Sequence, residues 1–349
     1  MKNISGLFCK SCQSAFAFLC VSVVNAFVFA FIRFLSPSSL LNAFIFAFAF
    51  PKVYPRESGD QSLKSIMTTA QKDYNELASA ADFLQKKGFS GAKLALVLGT
   101  GLGGLAEQVK SPRIIDTADI PGYPSSSVEG HHGRILQGKL SGVECLVFQG
   151  RLHYYEGLSS VQACAPVIIS QMLGAESIIL TNASGSINGS FPPGSLMLAE
   201  DFICAFHKNP LLGLVPGNLR GNGLNLDYVI FPPYHLIAME SAGETGIILR
   251  SGTLGVTWGP SYETPAEVRM LQFAGADAAS MSTGPEIIMA KHLGLNILAL
   301  SCLTNLGSGI SPTPLTHQEV QEAAAMVAES FRLLILRIIK RMGIYHEWH

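Results

Sequence analysis

Leu94-Ala95-Leu96-Val97-Leu98-Gly99-Thr100-Gly101-Leu102-Gly103-Gly104 is the stretch whose reading decides the fold. Five apolar residues in a row describe a strand buried on both faces, as in a sheet covered by helices. They run into a glycine cluster, after which Leu102 to Val109 is expected to start a helix. In such a strand–loop–helix unit glycine permits positive φ and lets backbone N–H groups approach a ligand. A helix N-terminus adds partial positive charge, so the unit makes an anion site, with Thr100 contributing a hydroxyl. Gly99-x-Gly101-x-x-Gly104 also fits a dinucleotide fingerprint, which needs an acidic residue about 20 positions on. Asp119 lies near that offset, but Asp119-Ile120-Pro121-Gly122 reads as a turn. A tight turn that binds nothing is the remaining reading.

The 349 residues are 48% hydrophobic, enough for one large α/β domain or two small ones. A formal net charge of −1 without long basic runs argues against nucleic-acid binding. Seven cysteines form no framework; Cys145, Cys164, Cys204 and Cys302 are scattered and read as reduced thiols. Cys9-Lys-Ser-Cys12 has no second ligand pair nearby, so no metal is expected.

Residues 1–66 differ in composition from the rest. No Asp or Glu precedes Glu57, and 11 of the 20 phenylalanines fall in the first 50 residues. Residues 11–32 are uncharged and long enough to span a bilayer, and any membrane contact is confined to them. A membrane anchor or cleavable signal, a targeting extension, and a mis-assigned start with Met67 as the true one all fit. The expected division is therefore a hydrophobic extension, 1–66, and a catalytic domain, 67–349, located in the cytoplasm.

From Met67 onward the pattern alternates between helix and strand. Asp73 to Lys87 has helical spacing with Gly88 as its stop. Two strands, Arg134 to Leu140 and Val143 to Gln149, flank a hairpin link at Ser141-Gly142. The second empties into Gly150-Arg-Leu-His-Tyr-Tyr-Glu-Gly157, a polar cluster at the strand end where α/β enzymes hold ligands. Arg151 there offers a fork suited to phosphate. Val161 to Leu173 is expected as one helix kinked at Pro166. Ser177 to Thr181 reads as a buried strand, with Asn182-Ala183-Ser184-Gly185 as a loop after it. Ser195 to Ile203 is a further strand, 204–232 a long loop and Tyr234 to Ala242 a helix. Gly252 to Trp258 is a strand. Thr264-Pro-Ala-Glu267 and Thr283-Gly-Pro-Glu286 are capping boxes that start helices. Leu295 to Thr304 is a central strand ending at Asn305, and Thr316-His317-Gln318-Glu319 caps the last helix.

Hydroxyls, one arginine and one or two histidines at these strand ends suit an anion, and an Asn with a Glu suits a heterocycle carrying donors and acceptors. No Gly-x-Ser-x-Gly nucleophile elbow is present. The pattern suggests a phosphate-using enzyme acting on a nucleoside-like substrate without a covalent intermediate.

Seven segments, in order, resemble the trimeric purine nucleoside phosphorylases: Gly99 to Gly104, Gly130-His-His-Gly-Arg134, Gln149 to Gly157, Thr181 to Gly185, Gly259-Pro-Ser-Tyr-Glu-Thr-Pro-Ala-Glu267, Met281-Ser-Thr-Gly-Pro-Glu286 and Ser301-Cys-Leu-Thr-Asn305. The resemblance spans roughly residues 70 to 340. It implies a single α/β domain with a central mixed, twisted sheet flanked by helices. It further implies phosphorolysis of inosine, guanosine and their deoxy forms to the free base and ribose 1-phosphate, in purine salvage. No cofactor is implied, inorganic phosphate being a co-substrate; the partners are the nucleoside, phosphate and two further copies in a homotrimer. By the same resemblance Thr100, His131, Arg151, His153, Ala183 (through its N–H) and Ser282 bind phosphate. Tyr155, Met281 and His317 contact ribose, and Tyr262, Glu263 and Asn305 the purine. Phe206 is lent to a neighbouring subunit. Asn305, Glu263 and His153 stand at the chemistry.

Positive charge builds on the ribose and negative charge on the purine as the glycosidic bond breaks. Fixed dipoles at Asn305 and Glu263 can meet the purine charge, with phosphate positioned for attack. The sequence departs from the family pattern at Ser184 and Gly284, where small and apolar residues are usual, and matches poorly over 207–240. A methylthioadenosine phosphorylase would carry an acidic residue at 305 and lack His317. A non-catalytic membrane-tethered nucleoside-binding protein and a dinucleotide oxidoreductase are the rivals from other classes.

Overall fold

β1 (Leu94–Leu98) is buried at all five positions, as its unbroken apolar run requires. The computed structural model describes residues 61–126, 133–205, 207–214, 224–310 and 317–348. They belong to one unit, Gln61–His349, organised around β1 and its neighbour β5 (Ser177–Ser186). β5 lies parallel to β1 on one side and to β9 (Asn296–Leu306) on the other. The last β1–β5 pair is Val97 with Leu180. Beyond it β5 runs on alone beside β9, shifts register between Ser184 and Gly185, and pairs antiparallel with β8 (Ala278–Ser280). β8 is parallel to β7 (Leu249–Val256), β7 to β6 (Leu196–Ile203), and β6 is antiparallel to β9. Five strands thus close into a ring. On the other flank β1 continues to β4 (Val143–Gln149), β3 (Arg134–Leu140) and β2 (Lys110–Asp116).

Helices cover this sheet. α1 (Gln61–Lys86) packs on α2 (Ser160–Ala163) and α3 (Ala165–Met172), burying Leu77 and Leu84. Each such leucine contributes about 1.5–3 kcal/mol relative to an exposed one. α4 (Pro232–Thr245) packs on α7 (His317–Tyr345), which also lies on β9. α5 (Pro265–Phe273) and α6 (Gly284–His292) start at Thr264 and Thr283, where the capping boxes placed them. No helix among the described residues is long and apolar enough to cross a membrane.

The mixed sheet flanked by helices matches the expected class, and Ser141 and Gly142 form the hairpin link with positive φ (49° and 91°). Several local expectations are corrected. The glycine loop opens not an α-helix from Leu102 but a 3-10 helix, Gly103–Gln108, because the chain turns extended at Val109 to enter β2. Its dipole is correspondingly small. Gly104 has no neighbour that would forbid a side chain, unlike a packing glycine of a dinucleotide fold. Val161 to Leu173 is two helices broken at Cys164, with Pro166 in the first turn of the second, where its missing N–H costs nothing. Asn182 to Gly185 is not a loop but the continuation of β5, held by its ladder to β9. α1 begins earlier than Asp73, so Met67 lies inside it. β2 was not expected at all, since Pro112 and an almost fully exposed face hide it. Cys9, Cys12, Cys20 and residues 11–32 lie outside the described residues.

Candidate active site

Where β5 leaves β1, the sheet splits and a cleft of about 330 Å³ opens over the strand ends. Thr100, Arg151, His153 and Tyr155 line one wall, brought there by the ends of β1 and β4. Ala183, from the unaccompanied half of β5, and Met281 and Ser282, from the β8–α6 turn, form the floor. Tyr262, Glu263 and Asn305 also line the cleft. Ten of the thirteen expected site residues therefore share one cavity. His131, Phe206 and the side chain of His317 lie outside the described residues.

The β1 loop is pressed against β5. A Cβ on Gly99 would stand 2.7 Å from the Thr181 carbonyl and 2.8 Å from Asn182 Cα, so only glycine fits. Gly99 N–H donates to Thr181 Oγ1 (3.1 Å), whose own proton goes to the Val97 carbonyl (3.0 Å). Arg151 is 2% exposed. Its Nε lies 3.0 Å from Glu286 Oε2, and its Nη1 donates to the Thr181 carbonyl. A buried ion pair of this kind holds geometry rather than adding much stability. His153 Nδ1 is 3.2 Å from Glu156 Oε1, which also accepts the His153 N–H (2.7 Å), and the imidazole stacks on Tyr155 at 4.7 Å. Burial pushes the Tyr155 hydroxyl up to about 12, with the neighbouring Glu156 carboxylate adding to the shift, so it stays a neutral donor.

Thr257 Oγ1 donates to Glu263 Oε1 (2.6 Å), fixing the carboxylate. Tyr262 is raised by partial burial and then by the adjacent Glu263. Asn305 is half-buried rather than fully desolvated; Thr304 Oγ1 donates to its Oδ1 (2.8 Å) and its Nδ2 donates to the Leu306 carbonyl (3.0 Å). An amide nitrogen carries two N–H groups, so the second remains for a ligand.

Sequence reasoning missed Asn182, Ser184 and Glu286. Asn182 is 1% exposed, accepts from Ser184 Oγ (2.5 Å) and donates to Thr283 Oγ1 (2.9 Å). The hydroxyl at Ser184, a departure from the family, is thus used inside the protein. Gly284, the other departure, has no room for a side chain: its Cβ would sit 2.8 Å from Cys204 Sγ and 2.9 Å from Val256 Cγ2. A Glu three residues after a Thr signalled only a helix cap at 286, which concealed the second role of that carboxylate. Among the described residues no group of three or more His, Cys, Asp or Glu could hold a metal ion.

Fold and cleft together describe an α/β protein whose strand ends gather hydroxyls, a buried arginine, a carboxylate and an amide in one cavity. The model of the phosphorylase superfamily matches residues 93–340, and the chain belongs to that family. It is 40% identical to purine nucleoside phosphorylase 1 of Geobacillus stearothermophilus over 267 residues, covering 76% of this chain and 97% of the relative. It is 34% identical to purine nucleoside phosphorylase of Mus musculus, covering 75% and 93%. Among solved structures, purine nucleoside phosphorylase of Schistosoma mansoni in complex with inosine superposes with a TM-score of 0.69 at 30% identity, covering 76% of this chain and 96% of the other.

Proposed function

We propose that this chain cleaves inosine and guanosine with inorganic phosphate, releasing the base and ribose 1-phosphate. The observation that carries the reading is one cleft lined by Arg151, Thr100 and Ser282 together with Glu263 and Asn305. In this reading phosphate sits against the first three, beneath a sugar whose base reaches the last two. His153, held by Glu156, stands beside the phosphate. His131 and the Ala183 N–H complete the phosphate site, and Tyr155, Met281 and His317 hold the ribose. As the bond to the sugar breaks, the free Asn305 N–H meets the charge arriving on the purine, while Glu263 accepts from the proton-bearing N1 side. Both are fixed before the reaction, which is what makes them effective. No cofactor takes part.

Asn305 favours this reading over a methylthioadenosine phosphorylase, which would need an acid there. Inosine turnover with and without phosphate is the test: equal rates in phosphate-free buffer would make the protein a hydrolase or something else.

The active form in this reading is a cytoplasmic homotrimer in which Phe206 completes a neighbour's site, and the residues before Gln61 are dispensable. Sedimentation of a chain starting at Gln61, the first residue of α1, tests assembly; a fully active monomer sinks it. Fractionation of cells expressing the full chain tests the location, with a membrane-bound catalytic domain as the contrary result.

A further inference from the structure

Ser282 reaches the cleft from a turn that no ordinary residue adopts willingly. Thr283 has φ 78° and ψ −42°, and the Gly284 N–H donates back to the Ser282 carbonyl at 3.0 Å. This is the strained form of the three-residue γ-turn, here centred on a β-branched residue. Such a conformation persists only where its surroundings over-determine it. Two buried side chains do so. Asn182 Nδ2 donates to Thr283 Oγ1 at 2.9 Å, and Glu286 Oε2 accepts the Thr283 N–H at 3.0 Å. Both are almost fully buried. The same Glu286 carboxylate takes Arg151 Nε at 3.0 Å. One carboxylate therefore ties Arg151 to the turn that carries Ser282, two residues of the cleft lining, although it does not itself line the cleft.

We propose that Glu286 and Asn182 are positioning residues for phosphate: they hold the turn at Thr283 so that Ser282 and Arg151 converge on one anion. The proposal rests on the phosphorolysis reading above. Charge alone would argue the opposite way, because a carboxylate behind Arg151 weakens the field that attracts phosphate. Removing it would then tighten phosphate binding. Geometry and charge thus give effects of opposite sign, and we infer that geometry dominates, because Oε2 of Glu286 meets both the Thr283 N–H and Arg151 Nε while Oε1 also lies 3.2 Å from Arg151 Nε, and only a carboxylate presents an acceptor at both oxygens.

Glu286→Gln keeps the shape but turns an amide NH₂ toward one of those donors. KM for phosphate is expected to rise about tenfold or more, with KM for inosine within about twofold of wild type. Thr283→Val removes the hydroxyl that Asn182 holds, which also lies 3.4 Å from Ser282 Oγ, and phosphate KM should rise about three- to tenfold. It decides the matter if Glu286→Gln does not fold. Combined with Ser282→Ala, Thr283→Val should add little, because its effect runs through Ser282. A lowered phosphate KM in Glu286→Gln would show that charge governs and overturn the proposal. So would unchanged phosphate KM in Thr283→Val, or a loss of folded enzyme with both KM values intact. Wild-type turnover without phosphate would instead remove the phosphorolysis reading itself, a separate result.

Discussion

Ser282 and Arg151, assigned above to phosphate, hang from a buried web: Ser184 to Asn182, Asn182 to Thr283, Thr283 to Glu286, Glu286 to Arg151. Glu263 and Asn305, assigned above to the base, are half-buried and held locally, Glu263 by the Thr257 hydroxyl and Asn305 by its sequence neighbours Thr304 and Leu306. The first region is over-determined, so one change disturbs several groups. The second is a set of nearly independent side chains on a fixed backbone. In the proposed reading, such an arrangement lets the recognised base be altered without touching the reaction with phosphate.

The largest effect should come from the web. Arg151→Ala is expected to lower kcat/KM for phosphate by about 10²–10³-fold, the range for removing one donor aimed at developing charge. Initial rates at varied phosphate check it, and retention of wild-type phosphate dependence would break the contrast. Asn305→Asp should narrow the preference for inosine over adenosine by about tenfold. Donor facing donor at a 6-amino group costs roughly 1–3 kcal/mol, and a protonated Asp relieves it. The comparison is kcat/KM for the two nucleosides in both forms; an unchanged ratio means that Asn305 does not read the base. Thr257→Val, which frees Glu263, should cost about three- to tenfold in kcat/KM for inosine and leave phosphate KM alone. Parallel loss in both substrates would join the two regions that we separate.

The smallest effect concerns pH. Tyr155 is held protonated up to about 12 when folded, against about 10 in an unfolded chain. The folded state therefore keeps a proton that the unfolded state loses. The associated stability is present below about pH 10 and disappears as pH rises through about 12. Tyr155→Phe should flatten that slope by less than about 1 kcal/mol, because the residue is partly solvated. Denaturant titrations across that window measure it; an unaltered slope would assign the alkaline loss to other groups.

What could be read from residues alone follows the same divide. Arg151 announced itself as a charged group at the end of an apolar strand, and Thr264 and Thr283 as caps, because those patterns are local. The course of Asn182 to Ser186 was hidden: small polar residues favour turns, and only pairing with strands distant in the chain, β9 throughout and β8 at Gly185 and Ser186, keeps them extended. The second role of Glu286 was hidden for a related reason. Its cap is a three-residue pattern, whereas its bond to Arg151 spans 135 residues. The positive φ of Thr283 had no local sign either, since glycine is the residue expected there.

The ring of five strands leaves the sheet with one free margin among the described residues, and that margin is β2. An exposed row of backbone donors and acceptors is a template on which another chain can grow. Here the row is interrupted. Pro112 has no N–H to give, the pairing with β3 slips between Lys110 and Arg113, and both cations stand in water. Arg113 reaches across to the Gly88 carbonyl at 2.6 Å, fastening the margin to the turn after α1. Among the described residues, then, the sheet offers no unbroken strand margin on which a second chain could be extended.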